Sequence, residues 1–538
     1  MAGALLFDGE IRDREHQKSA RREIPVSGFD VFVSSFAKAL LTQSRRAPVY
    51  LTTEAAALSF QRNAPPWLDG SKENIRLVSA YDPSALKEIE DLTLLSVGPE
   101  MLNFAWIRSQ MRKPGWPIVA VMHALSPPPR IRYFLTSALF NLLRPHDALV
   151  CATHAAKKVV EGLFLAVPKE ARLIDKIPFE IPVIPFGVDT REFSMRSKDA
   201  ARQELGIAPQ EKVILYFGKF SPTEKCDLLP LIIAYSQLNR SQSMRLMLAG
   251  DDTQFRMAAA LKEAAQELGC GESVQVLPDV SKESKLNIFA AADIFVSPSE
   301  NVQESFSIPV AEAMAGGLPV IASNWGGHKE LVEHGKTGFL APTYFAPIAQ
   351  PLQFITLYSG IYPEKLLGLS TAVDVDSLTA HLQTLLSDAG LRRKMGDEAR
   401  RRARERLDWK VVMEQYDDLW DELSNRAKNS ATRTNSFECS SFQEVFHHYP
   451  SDLLRPWSIV QLNESLGGRR AKILNALGVG QYFDADIFKL IVRALEIEGP
   501  TSIARLVDYT IDAKEATTTA VERHIGRLFK YGLIQLSM

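Results

Sequence analysis

Apolar runs alternate with amphipathic stretches along most of this 538-residue chain. Continuously apolar strands separated by helical segments predict a parallel sheet that is covered by helices on both faces. The alternation occurs twice, so we expect two doubly wound α/β domains that face a cleft, with a joint near 188–193. The runs interpreted as strands are 4–8, 47–51, 92–97, 117–123, 147–152 and 181–185 in the first series and 213–220, 245–250, 273–278, 293–297 and 318–322 in the second.

The most informative β-α-β unit of this pattern lies at 291–323. An apolar run ends in a short polar loop, a helix is predicted to begin at Ser307 or Pro309, and a second apolar run follows. The unpaired amides and the positive dipole end of a helix start favour an anion such as phosphate. The amides at this start belong to Phe306, Ser307 and Ile308.

Two acids flank this helix start, Glu304 in the loop and Glu312 about one turn inside the helix. Carboxylates accept paired hydrogen bonds from vicinal hydroxyls, such as those of a ribose or a hexose. The loop could therefore hold a sugar, a diphosphate and a ribose together. The alternative is that Glu304 is a solvated loop acid and Glu312 a favourable charge in a first helical turn.

Other candidates also follow predicted strands. Gly218 and Lys219 end the run at 213–220, and Lys225 follows after a short loop, so two cations would lie at the same sheet edge as Glu304. A pair of lysines facing a helix start suggests a diphosphate clamp, although either one alone would be read as a solvated lysine. His123 ends the run at 117–123, at the edge where ligands of open α/β sheets bind. Gly28 follows the first predicted strand and could let a ligand approach the backbone, or be an ordinary loop glycine.

Together these stretches resemble the retaining GT-B glycosyltransferases of family 4, from about 28 to 423. Three ordered motifs carry the resemblance: the linker-like stretch 183–193, the phosphate loop 218–225, and the Glu-x7-Glu run followed by 315–323 and 335–340. The chain departs from the family at three positions. Phe186 stands where an Asn is usual, Lys219 replaces an Arg, and Ser307 replaces a Gly beside the expected donor.

The resemblance implies two Rossmann-like domains in the GT-B arrangement and a role for each candidate. Lys219 and Lys225 would neutralise the donor diphosphate and Glu304 would hold the donor sugar, so we expect a metal-independent reaction. Glu312 would hold the ribose. The remaining candidates would line the donor pocket: His123 from the opposite domain, Gly28 and Gly218 through close backbone approach, and the amides of Phe306, Ser307 and Ile308.

The composition sets the expected compartment and partners. The 62 Lys+Arg nearly balance the 64 Asp+Glu, which gives no global sign of nucleic-acid or membrane binding. The four cysteines are scattered without ligand spacing, so neither a disulfide framework nor a structural zinc is expected. Without a signal peptide or a long apolar stretch, the chain is expected to be cytoplasmic. Peripheral contact with a membrane stays open.

Beyond the resemblance, the chain carries an insert and a tail. We predict an N-terminal domain at 1–190, a nucleotide-sugar domain at 191–407 with an aromatic insert at 344–372, a crossover helix at 408–424 and a linker at 425–436. Residues 437–538 contain three amphipathic helices and a short terminal strand, a pattern similar to a winged helix. Arg523, Arg527 and Lys530 on the third helix could contact DNA, but nearby acids favour a protein contact or a homo-oligomer.

The expected function is transfer of a sugar from a nucleotide donor, UDP- or GDP-linked, to an unidentified acceptor: a saccharide, a peptide or protein, or a small molecule. No separate cofactor is expected. Two alternatives stay open. A sugar-nucleotide epimerase or hydrolase would turn over donor without acceptor, and a non-catalytic sugar-nucleotide sensor with a protein- or DNA-binding tail would bind donor without turnover.

Overall fold

A computed structural model gives the three-dimensional structure. It describes residues 4–8, 28–52, 76–79, 86, 89, 92–98, 101–110, 113, 115–123, 142–165, 176–239, 243–346, 368–429, 454–464, 484–514 and 516–537. The chain divides into two compact units. The first unit is drawn from 1–48, 91–108 and 114–433, and the second from 49–90, 109–113 and 434–538.

The first unit contains the parallel strands β1 (Ala4–Asp8), β4 (Leu92–Ser96), β5 (Ile118–Met122) and β6 (Ala148–Cys151), which are neighbours in that order. Strands β4, β5 and β6 are buried along their whole length, as their uninterrupted apolar sequences predict. The associated helices are α1 (Gly28–Gln43), α2 (Met101–Gln110) and α3 (His154–Leu165). The run at 181–185 is not a strand. It makes isolated bridges to β6, one of them between Cys151 and Val183.

The second sheet of this unit is also parallel, in the order β12-β11-β10-β7-β8-β9. All five strands predicted for the second series are present, as β7 (Lys212–Phe217), β8 (Met244–Gly250), β9 (Val274–Pro278), β10 (Ile294–Ser297) and β11 (Val320–Ser323). A sixth strand that was not predicted, β12 (Gly338–Ala341), completes the sheet. The helices between 190 and 331 are α4 (Thr190–Ser194), α5 (Lys198–Glu204), α6 (Leu229–Ser236), α7 (Ala258–Glu267), α8 (Lys282–Ala291), α9 (Ile308–Gly316) and α10 (His328–Leu331), with a 3₁₀ turn at Gly271–Ser273.

The strand order reverses between β7 and β10, which are direct neighbours in this sheet. The chain leaves β7 toward β8 on one side and leaves β10 toward β11 on the other. The loops that follow β7 and β10 therefore start side by side at the carboxyl edge of the sheet, the position at which doubly wound folds bind ligands. This reversal places the stretch after Gly218 beside the stretch that contains Glu304.

The remaining elements of the first unit lie at 343–429. Strands β13 (Thr343–Phe345) and β14 (Thr371–Val373) form an antiparallel pair at the two ends of the predicted insert, and residues 347–367 between them lie outside the described residues. Helices α11 (Val375–Ser387), α12 (Ala389–Arg406) and α13 (Trp409–Asn429) follow. Helix α13 begins where the crossover helix was predicted. It continues through the first five residues of the predicted linker 425–436, so these are helical, and 430–436 lie outside the described residues.

Helix α13 is fastened to the segment that follows α1 by polar contacts. Ser44 Oγ donates to Asp417 at 2.7 Å, and the nearly buried Arg46 guanidinium pairs with Asp421 at 2.7 Å. At the joint, Gly187 is needed because a side chain there would overlap the Trp409 ring, with a Cβ only 2.3 Å from it. These contacts explain why the chain can return to its first domain along α13.

The second unit contains β2 (Pro48–Thr52) from Val49 onward, and this strand pairs in parallel with β3 (Arg76–Ser79). Its C-terminal part has an antiparallel sheet, β16 (Thr501–Ser502), β15 (Ile459–Leu462) and β17 (Ile534–Leu536), in that order. The three predicted helices are present as α14 (Ala485–Glu498), α15 (Ile503–Ala513) and α16 (Thr518–Lys530), and their apolar faces form one core with the sheet. No helix in the described part of the chain is both long and apolar enough to cross a membrane.

Candidate active site

Two loops form the centre of the candidate site. The lysine loop (218–227) follows β7, and the glutamate loop (298–307) follows β10 and leads into α9. Consecutive side chains of the glutamate loop bond to the lysine-loop backbone. Ser299 Oγ donates to Lys225 O at 2.7 Å, Glu300 Oε1 accepts from Asp227 N at 3.0 Å, and Asn301 Nδ2 donates to Thr223 O at 2.8 Å. These three hydrogen bonds, called the loop seam below, hold the two loops together.

Lys225 and Glu304 form an ion pair across these loops, between Nζ and Oε2. The Glu304 side chain is buried, whereas 22% of the Lys225 side chain is exposed. Burial by itself would raise the pKa of Glu304, but Lys225, His328 and Ser299 together outweigh it and hold that pKa below its usual value. Glu304 is therefore an ionised carboxylate with its cation in place.

Lys219 is held differently. Its Nζ donates to Glu224 at 2.8 Å and to Gln254 at 2.6 Å, and it lies 5.2 Å from the centre of the Phe255 ring. The structure thus brings Lys225, and not Lys219, into contact with Glu304. Next to it, Gly218 is closely packed, because a Cβ on that residue would lie 2.8 Å from the Tyr216 hydroxyl.

Glu312 lies in the first half of α9 and is also paired. Its Oε1 accepts from Lys285 Nζ at 2.5 Å, while Oε2 is buried and has no hydrogen-bond partner among the described residues. Burial raises the pKa of Glu312 and outweighs the effect of Lys285. Nothing in the sequence pattern indicated Lys285, which reaches Glu312 from α8. Its ammonium lies 5.0 to 5.8 Å from the centres of three aromatic rings, those of Phe193, Phe217 and Phe289.

The start of α9 is where the sequence predicted it. Ser307 is the N-cap residue, in an extended conformation, and Pro309 lies in the first turn. The Ser307 hydroxyl does not cap the helix; it is fully buried and has no partner among the described residues. The amides of Ile308 and its neighbours lie at the end of a helix, where intrahelical acceptors are lacking. Phe306 is buried beside them.

The loop after β11 packs closely against the backbone of the glutamate loop. A Cβ on Gly326 would lie 2.3 Å from Glu304 O, and one on Gly327 would lie 2.2 Å from Ser305 O. His328 follows and is completely buried, with Nδ1 at 3.0 Å from Ser323 Oγ. Burial lowers the pKa of His328 to about 4, so the ring is neutral at pH 7. His328 has no spacing signal and was not predicted from the sequence.

The first sheet reaches the glutamate loop at His123. The backbone oxygen of His123 accepts from Ser305 Oγ at 3.2 Å, and Thr153 Oγ1 donates to Ser305 O at 2.9 Å. The His123 ring stacks on Phe186, with centroids 5.4 Å apart and planes at 7°. Phe186 also lies 5.1 Å from the Phe306 ring. The aromatic residue that replaces the usual Asn therefore joins His123 to the glutamate loop.

Gly28 begins α1, and the residues just before it lie outside the described residues. The structure thus brings together Lys225, Glu304, Phe306, Ser307 and the backbone of His123. Glu312 lies further along α9, and the Lys219 ammonium binds Glu224 and Gln254 instead of Glu304. Ligand binding by all of these residues stays a prediction.

Comparison with known proteins agrees with this architecture. Residues 197–354 match the family model for glycosyl transferases group 1. Structures that resemble this one include a glycosyltransferase from Rickettsia africae (TM-score 0.54, 15% identity, covering 80% of this chain and 99% of that one) and a sucrose-phosphate synthase from Thermosynechococcus elongatus (TM-score 0.53, 18% identity, 79% and 100%). The chain has the GT-B fold. The predicted fold class is thereby confirmed, and the candidate site lies in the second of the two GT-B domains.

Sequence relatives match only part of this GT-B chain. A D-inositol 3-phosphate glycosyltransferase from Nocardia farcinica is 34% identical over 165 residues, which are 30% of this chain and 36% of the relative. The D-inositol 3-phosphate glycosyltransferase from Mycobacterium sp. (strain KMS) is 35% identical over 187 residues, which are 34% of this chain and 41% of the relative. The chain thus spans less than half the length of these curated relatives. The family-model match covers both the lysine loop and the glutamate loop.

Proposed function

We propose that this protein is a retaining glycosyltransferase that moves a sugar from a nucleotide diphosphate sugar to an acceptor nucleophile without a metal ion. The observation that carries the proposal is the ion pair of Lys225 with buried Glu304 at the N-terminus of α9. It lies at the strand-order reversal of a doubly wound sheet, which is the usual ligand position in such folds. An anion site and a hydroxyl-binding carboxylate are thus adjacent.

The donor would extend along these groups. The diphosphate would lie at the start of α9 and accept from Lys225, whose ammonium has three donors and could bind phosphate and Glu304 together. Glu304 would accept from the sugar hydroxyls, and the unpartnered Oε2 of Glu312 would accept from a ribose hydroxyl. Lys219 would contribute once it exchanges Glu224 or Gln254 for phosphate.

During transfer the bond from the anomeric carbon to the phosphate oxygen breaks and negative charge builds on the diphosphate. Lys225 and the helix-start amides would offset that charge. The acceptor oxygen would attack from the face that the leaving group vacates and give its proton to a diphosphate oxygen. This path retains the anomeric configuration and needs no carboxylate nucleophile on the opposite face. His123 would contact the sugar from the first domain.

The donor and acceptor classes follow from chemistry and from the relatives. A diphosphate and a ribose fit UDP- or GDP-linked sugars, and a GT-B structure similar to this one, Anabaena HepE, was solved in complex with UDP-glucose (TM-score 0.51, 18% identity, covering 79% of this chain and 99% of that one). The names of the matched relatives make inositol phosphates the first acceptors to test, ahead of saccharides and peptides. We place the reaction in the cytoplasm.

The test combines the purified chain with UDP- or GDP-sugars and measures nucleotide release with and without acceptor. Release that depends on acceptor, withstands EDTA and is lost in Glu304→Gln would support the proposal, and the anomeric configuration of the product reports retention. Glu398→Gln changes a partly exposed acid of α12 and is the matched control. Equal release without acceptor would favour a hydrolase instead, conversion of the donor into another sugar nucleotide an epimerase, and donor binding without turnover a sensor.

We also propose that α14, α15, α16 and their antiparallel sheet form a winged-helix-like accessory domain that contacts protein, including a second copy of this chain. Two exposed apolar side chains support a protein contact, Trp457 at 68% exposure and Ile497 at 65%. Sedimentation of the full chain and of a Trp457→Ser variant tests self-association. Salt-sensitive retention on DNA by the full chain would favour a nucleic-acid contact instead.

A further inference from the structure

Glu300 is a buried acid that the proposed reaction does not use. It is 5% exposed and lies in the middle of the loop seam, between Ser299 and Asn301. Its Oε1 accepts from the backbone N–H of Asp227, while Oε2 is buried without a hydrogen-bond partner among the described residues. Of the three side chains that form the seam, Glu300 is the one that ionises.

The neighbouring cations are engaged elsewhere. Lys225 pairs with Glu304, and Lys219 pairs with Glu224. Among the described residues, Glu300 forms no ion pair. A buried carboxylate without a cation is strongly disfavoured, whereas a protonated carboxyl can still accept from the Asp227 amide.

On this geometry, and resting on the proposed transferase function, we propose that Glu300 positions the lysine loop for the donor diphosphate as an uncharged carboxyl, and that donor binding weakens when Glu300 ionises. An ionised Glu300 would be a buried carboxylate without a cation and would repel the Asp227 carboxylate, so the seam would loosen at Asp227. The lysine loop would then no longer be held in place for the donor diphosphate. Glu300 is thus a positioning residue, since it acts through the backbone of the lysine loop.

Of the groups around Glu300 with shifted pKa values, only Glu300 itself titrates between pH 6.5 and 9. Burial raises the pKa of Glu300 to about 8, so the carboxyl is uncharged at pH 7 and ionises above pH 8. Burial also keeps Tyr216 and Cys226 neutral by raising their pKa values, whereas the pKa of Glu304 is below its usual range and that of His328 is about 4. The other charged groups that face this region are Lys219, Glu224, Lys225 and Asp227.

If binding requires the uncharged carboxyl, the apparent dissociation constant scales inversely with the protonated fraction. We therefore expect donor affinity to be nearly constant from pH 6.5 to 7.5 and to fall about tenfold between pH 7 and pH 9. The probe is UDP-glucose, with GDP-glucose as the second base, because a diphosphate esterified at both ends does not titrate in this range. Binding to the full chain is measured by calorimetry across pH 6.5–9.5.

Two variants separate the effect of the Glu300 charge from the effect of the seam hydrogen bonds. Glu300→Gln keeps an acceptor for the Asp227 amide but cannot ionise, so its donor affinity should match the wild type at pH 7 and lose the decline toward pH 9. Asn301→Ala removes a neighbouring seam bond without touching the titrating group. It should bind donor more weakly at every pH while keeping the wild-type decline. A Glu300→Gln variant that declines like the wild type would overturn the proposal.

A measurement without ligand separates this inference from the proposed function. Amide hydrogen exchange of the lysine loop should be faster in the wild type than in Glu300→Gln at pH 9, and equal at pH 7. Absence of that difference overturns the inference even if donors bind. If the difference appears but neither donor binds at any pH, the transferase proposal fails and the donor part of the inference fails with it. Should Glu300→Gln not fold, a pH-independent wild-type affinity would still refute the inference.

Discussion

Replacing Lys225 by methionine should destabilise the second GT-B domain by an amount that grows with pH. The substitution keeps the length of the side chain and removes the ammonium that pairs with Glu304. Because the Glu304 side chain is 3% exposed, its carboxylate would then be buried without a cation. Glu304 would resemble Glu300, the acid of the same loop without a cation, whose pKa burial raises to about 8.

The size of the stability loss in Lys225→Met, and its dependence on pH, follow from proton linkage. With Lys225 present, the pKa of Glu304 is lowered, so its stabilising effect persists above the unfolded value of about 4.3 and is lost only in acid. In the variant burial raises the folded pKa above the unfolded value of about 4.3, so the folded state keeps a proton that the unfolded state loses and stability falls as pH rises. Each pH unit between the unfolded and the folded pKa costs about 1.4 kcal/mol, so the loss of stability grows to a few kcal/mol by neutral pH.

Hydrogen exchange is a suitable assay, because a multidomain chain does not unfold in one step and exchange reports local opening. The relevant amides are those of β10 and β11. Glu304→Gln is the matched control: it leaves Lys225, which is 22% exposed and can be hydrated, so we expect a loss of about 1 kcal/mol without growth between pH 5 and 8. Equal losses in the two variants, or a Lys225→Met loss independent of pH, would refute the reasoning.

Three further substitutions test the supports of the glutamate loop. His328→Asn should remove a loss of stability of up to about 3 kcal/mol between pH 6.5 and 4, measured by hydrogen exchange of the β10 and β11 amides, because the folded pKa of about 4 lies below the unfolded one. Gly327→Ala should abolish donor binding in calorimetry, since its Cβ would lie 2.2 Å from Ser305 O, whereas the helical control Gly162→Ala, with nothing within 4 Å, should bind donor like the wild type. Ser307→Gly should change stability by a few tenths of a kcal/mol but alter donor affinity, and unchanged donor kinetics would show that the buried hydroxyl is neutral.

The sequence alone determined the α/β class and the position of the central unit. Uninterrupted apolar runs can be buried only in a sheet covered on both faces, so β4, β5 and the strands of the second sheet were predictable. The start of α9 at Ser307 was also predictable, because Pro309 suits a first helical turn and the apolar run ends just before it. The run at 181–185 was the exception: it is apolar but forms only isolated bridges with β6.

Tertiary structure alone decided the partners of each charge. Lys225 rather than Lys219 contacts Glu304, Lys285 reaches Glu312 from another helix, and the buried Glu300 is left without a cation among the described residues. Spacing along the chain predicts which residues share a sheet edge, because parallel strands end together. It does not predict which side chains meet there, since that depends on the reversal of strand order between β7 and β10 and on the packing of loops far apart in sequence.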